Sequence, residues 1–143
     1  MIRLRPGWLV ALCATLLAVS VWLPWLTTRA AGGGHASGIG GTVGSLELPP
    51  RFGAGQAITL LTSLLLVAGA MTGREIAQRW ASAGALVLSL CIVGLIAWYH
   101  HLNVGHDVAA GYGWYVGAVL AGIAVLVSLW AVIDAARPRG GRR

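Results

Sequence analysis

The chain has no lysine. All ten of its basic residues are arginine, only four residues are acidic, and charged side chains make up 10% of the 143 residues. Soluble globular domains carry about 25%, so this sparse charge excludes an ordinary soluble surface. Cysteine is also scarce. Cys13 and Cys91 each stand inside an apolar run, where a thiol acts as a small hydrophobe, and both are expected to be structural filler. The sequence has no G-x-S-x-G elbow, no H-E-x-x-H and no G-x-x-x-x-G-K-[ST], the short signatures that seat nucleophiles, zinc and phosphates. No catalytic or cofactor-binding residue is expected, and the chain reads as a non-enzyme.

Apolar residues, 57% of the chain, fill the space left by charge. A bilayer core of about 30 Å takes about 20 apolar residues as a helix. Four stretches qualify: 7–26 ("GWLVALCATLLAVSVWLPWL"), 56–72, 80–99 and 113–133. The expected fold is an all-α membrane protein, a single four-transmembrane-helix bundle over 1–143. It has a glycine-rich outer loop at 27–55 and a basic cytoplasmic tail at 134–143. The first stretch could be read as a cleaved leader or a lipidation signal, but its length and its bulky "WLPWL" end favour a retained span.

The arginines set the orientation, because short flanks rich in basic residues stay cytoplasmic. Arg3, Arg5, Arg74, Arg79, Arg137, Arg139, Arg142 and Arg143 fall on one side, leaving Arg29 and Arg51 in the long first loop. The expectation is a multi-pass protein of the plasma membrane with both termini cytoplasmic. Tryptophan favours the headgroup levels. Trp8, Trp80 and Trp130 are expected as anchors on the inner side, and Trp22, Trp25, Trp98 and Trp114 on the outer. The net charge of +6 gathers at segment ends, so the lipid bilayer, with anionic lipid at the tail, is the expected partner rather than nucleic acid.

No Asp, Glu, Lys, Arg or His lies at the centre of a span, which counts against ion-coupled transport. Asp134, three residues before Arg137, is expected to form a helix-end ion pair. Helices associate in lipid through small residues. Gly113, Gly117, Ala121 and Gly122 in the fourth span, with Ala81, Ala85 and Ser89 in the third, are the expected helix-packing or partner-facing stripes. Pro24 is expected to bend the last turn of the first span.

All four histidines fall on the outer side. His35 lies in the first loop; "HHLNVGHD" brings His100, His101, His106 and Asp107 into the second, and Glu47 is the further carboxylate. Imidazole and carboxylate suit zinc or copper, which makes these residues the candidate metal ligands. Adjacent histidines at a helix end diverge by about 100°, however, and the spacing matches no established site. In the first loop, Thr42, Val43, Leu46 and Leu48, stopped by Pro49 and Pro50, predict a short extended segment, a small β-hairpin or strand over the outer face.

The sequence "LPWLTT" closing the first span, the glycine-rich loop, "GRE" after the second and "GYGWY" opening the fourth resemble small four-span membrane proteins of actinobacteria. The plan is similar to that of the Trp-operon-associated membrane protein family. The resemblance implies no catalytic residues. The functional expectation is a non-catalytic accessory or scaffolding subunit that binds another membrane protein or itself. The alternatives are an outer-face metal-binding or metal-delivery protein and a transporter component.

Overall fold

The computed structural model describes residues 5–29, 32–44, 53–105 and 108–137. Among the described residues the chain forms helix α1 (Pro6–Ser20), strands β1 (Pro24–Thr28), β2 (Gly34–Ser37) and β3 (Thr42–Gly44), helices α2 (Ala54–Gly73) and α3 (Gln78–Asn103), strand β4 (Val108–Ala110) and helix α4 (Tyr112–Ala136). Each helix packs on its neighbours in sequence, and α4 closes the bundle against α1. The strands form one antiparallel sheet in the order β3-β2-β1-β4 at the end where α1 and α3 finish.

Three helices, α2, α3 and α4, are long and apolar enough to cross a membrane, and α1 is a shorter apolar helix. The helices at 56–72, 80–99 and 113–133 appear with slightly wider bounds. The first is corrected: it stops at Ser20 rather than continuing to residue 26. At 15 residues it rises only about 22 Å. Pro24 does not bend a helix but opens β1, a position where its missing N–H removes no ladder bond. The register slips between Pro24 and Leu26. This bulge sets two consecutive residues, Trp25 and Leu26, against the bundle, where a regular strand would turn one of them away.

The expected hairpin is therefore a four-stranded sheet, and one of its strands comes from the second loop. Alternation explains its two faces. Thr42, Ala36, Leu26 and Ala110 share a row across the strands, and Ala36 and Leu26 are buried in it. The adjacent row of Val43, His35, Thr27 and Ala109 faces away, with Val43, His35 and Ala109 exposed. The β2–β3 turn needs glycine at Gly40, whose φ is +102°. The Gly38 N–H of that turn donates to the Val21 carbonyl at 2.9 Å, and Gly55, in the first turn of α2, sits against the Gly38 carbonyl. The sheet is thus tied to both α1 and α2.

The core changes character along the bundle. At the sheet end it holds Leu17, Trp25, Leu26, Ile92, Ile96 and Tyr99. At the opposite end, α1 and α2 approach through Gly7, Ala11, Gly69 and Gly73. A Cβ on Gly69 would come within 2.7 Å of the Ala11 nitrogen, and one on Gly7 would collide with the Gly73 backbone. Arg5 reinforces this seam, donating to the Gly73 carbonyl at 3.3 Å and pairing with Glu75 at 3.3 Å. Among the described residues Asp134 makes no ion pair with Arg137, contrary to expectation. Arg137 keeps the helical register, its φ at −65° and its N–H donating to the Ile133 carbonyl at 3.2 Å, but its side chain lines a pocket with Glu75 and Arg79 rather than pairing with Asp134.

Candidate functional site

The sheet end of the bundle is organised around Trp25. A tryptophan at a headgroup level keeps its ring edge wet, whereas Trp25 is fully buried, which corrects its expected role as an anchor. Its indole N–H donates to the Ser20 carbonyl at 2.8 Å, one of the carbonyls that the end of α1 leaves without a helical partner. Its ring meets Tyr99 edge-on, 5.3 Å between centroids and 90° between planes, the geometry that the ring quadrupoles favour. Gly113 and Gly117 form one wall of its socket and Gly38 another: a Cβ on either of the first two would lie 2.9 Å from the indole, and one on Gly38 3.1 Å.

The small residues thus have separate roles. Gly113 and Gly117 admit a side chain from β1 rather than another helix backbone. Ala121, Ala81, Ala85 and Ser89 are buried within the bundle. Gly122 faces the other way, with no atom within 4 Å of where its Cβ would be. The close approach of Gly7 and Ala11 to Gly69 and Gly73 was missed in sequence, although "GAMTG" carries the same four-residue spacing.

The histidines occupy different surfaces. His35 stands on the exposed row of the sheet, away from the bundle. His100 and His101 fall in the last turn of α3, which runs on to Asn103. There they diverge, His100 half-buried with its ring 4.7 Å from that of Trp114, and His101 exposed with its ring 6.5 Å from that of Trp98. Among the described residues no group of three His, Cys, Asp or Glu side chains is gathered as metal ligands would be. His106, Asp107 and Glu47 lie outside the described residues, as do Leu46 and Leu48.

Trp114 is half-buried; it donates its indole N–H to the Ile96 carbonyl at 3.2 Å and packs edge-on against Tyr115 at 5.0 Å. Trp22 and Trp98 are exposed near the sheet end of the bundle, while Trp8, Trp80 and Trp130 are exposed towards the opposite end.

The buried polar groups are hydroxyls. Those of Ser20, Thr62, Thr72, Ser82 and Ser89 each donate to a carbonyl of their own helix, whereas the buried hydroxyls of Ser128 and Tyr99 have no partner among the described residues. No family model, no curated protein and no solved structure matches the chain.

Proposed function

We propose that this chain is an integral membrane protein that crosses the plasma membrane four times, with both termini cytoplasmic. It acts as a non-catalytic accessory or scaffolding subunit that binds another membrane protein or a second copy of itself. The carrying observation is the surface of the bundle. Leu60, Leu64, Val67, Val87, Leu90, Val119 and Leu126 all lie exposed along α2, α3 and α4, Leu126 at 68%. A water-soluble monomer seldom exposes more than a few hundred Å² of contiguous apolar surface, whereas acyl chains or neighbouring helices cover such a surface without penalty. Five buried hydroxyls bond back to carbonyls of their own helices, which supports a structural role, because a reaction site needs polar groups aimed at a shared substrate position.

In this arrangement α1 crosses together with residues 21–23, the sheet lies at the outer surface, and the arginines of the α2–α3 turn, of the start of α3 and of both termini meet the anionic inner leaflet. The experiment is extraction of the tagged chain in mild detergent, followed by identification of what co-purifies. A membrane protein recovered in fixed stoichiometry, or a defined homo-oligomer, is the expected result. Recovery of the monomer alone across several mild detergents would defeat the subunit reading.

A further inference from the structure

At the end of the bundle opposite the sheet, the α2–α3 turn, the first turn of α3 and the end of α4 line an open pocket of about 430 Å³, within the size range of small-ligand sites. Its charged lining is Glu75, Arg79 and Arg137, with Gln78 and Trp80 completing the polar and aromatic wall. The Glu75 carboxylate is already engaged by Arg5 at 3.3 Å. Among the described residues neither Arg79 nor Arg137 has an ion-pair partner, so the pocket presents two uncommitted guanidinium groups from two different elements. Arg137 closes α4, its N–H still donating to the Ile133 carbonyl, and Arg139, Arg142 and Arg143 follow it in sequence.

We propose that this pocket binds the phosphate headgroup of an anionic phospholipid. This inference rests on the membrane reading above and adds a specific site to it. Guanidinium presents a planar fork of donors that matches phosphate oxygens. Two of them on separate elements hold one phosphate from two directions. The apolar surroundings favour a lipid over a free phosphate. Trp80, in the wall, is 84% exposed, and an indole placed beside a headgroup site lies at the level it prefers. Ile133, four residues before Arg137 on α4 and also exposed, offers surface along which acyl chains run. Lipid held here would tie the α2–α3 turn to the end of α4.

The test is native mass spectrometry of the full chain in detergent with phosphatidylglycerol or phosphatidylcholine at equal concentration. Preferential retention of phosphatidylglycerol is expected. Arg79→Gln and Arg137→Gln should each weaken it about fivefold, and the double variant about thirtyfold, in line with the contribution of an arginine near a headgroup. Arg29→Gln, a matched loss of charge at the other end, should leave it unchanged. Equal retention of the two lipids, an unaffected double variant, or an equal loss in Arg29→Gln overturns the site. Glycerol phosphate that binds in place of the lipid would overturn its assignment to lipid.

Should the double variant misfold, the wild-type chain decides the question with phosphatidylglycerol carrying a photoreactive headgroup. Cross-links within 75–80 and 135–137 support the site, and cross-links elsewhere refute it. An alkaline carbonate wash of native membranes separates the two proposals. A chain washed off the membrane defeats the membrane reading, whereas a retained chain with no lipid preference defeats only the pocket.

Discussion

At the residue scale, the buried ring of Trp25 fills a socket that glycine leaves open at the sheet end of the bundle. Trp25→Ala should lower stability by about 3–5 kcal/mol, the range for removing a buried aromatic, measured by denaturant unfolding in micelles followed by circular dichroism. Gly117→Leu should also destabilise, since a Cβ there already lies 2.9 Å from the indole. The double variant should be more stable than the sum of the two losses predicts, because the leucine enters the space the indole vacates. Strict additivity would show that the two positions do not share the socket. Tyr99 makes the opposite case. Its hydroxyl is buried and has no hydrogen-bond partner among the described residues, and a buried unpaired group costs about 1–3 kcal/mol. Tyr99→Phe keeps the edge-on ring contact and should raise the unfolding temperature; a fall would reveal a bound water at the hydroxyl.

At the scale of elements, what the sequence makes legible depends on length. The runs at 56–72, 80–99 and 113–133 are long, apolar and uninterrupted, so hydropathy finds α2, α3 and α4 with bounds wrong by only a few residues. The first run misleads for a physical reason. Trp25 and Leu26 are apolar whether they end a helix or stand, as observed, in a bulged strand, and hydropathy reports apolar character rather than backbone geometry. Pro24 carried the better signal, since proline at the start of a strand and proline near a helix end demand different continuations. Strand β4 is three residues long and its partner β1 lies about eighty positions earlier, a separation that no local pattern encodes. The same limit applies to the histidines: proximity in sequence suggested a cluster, while helical divergence turned His100 to Trp114 and His101 to Trp98. The β1–β4 register can be tested directly. With Cys13 and Cys91 replaced by alanine, Thr27→Cys with Ala109→Cys should form a disulfide under mild oxidation, because directly opposed residues share a face. Thr28→Cys with Ala109→Cys should not, since their side chains leave opposite faces of the sheet. Cross-linking of the second pair in preference to the first would mean a register shifted by one residue.

At the scale of the whole molecule, the two ends differ in both packing and charge. The sheet end has a core of large side chains under a covering of strands, and its exposed row carries His35 and Val43. The opposite end is drawn together by glycine and alanine and bears Arg5, Arg74, Arg79 and Arg137. Charge of this distribution orients a membrane protein through its interaction with the anionic inner leaflet, so one asymmetry should decide which end faces outward. The lack of lysine makes that orientation measurable, because one introduced lysine supplies a side-chain amine with no other in the chain. Val43 and Ile76 suit this purpose: Val43 is 60% exposed on β3 and Ile76 52% exposed in the α2–α3 turn. In intact cells, Val43→Lys should react with a membrane-impermeant amine reagent above the level of the unsubstituted chain. Ile76→Lys should reach the same level only after the cells are opened. Reaction of Ile76→Lys in intact cells, with Val43→Lys protected, would invert the orientation and move the arginine-lined pocket to the outer leaflet. Reaction of both in intact cells would mean that the bundle does not separate the two compartments, and the four-pass arrangement would fall with it.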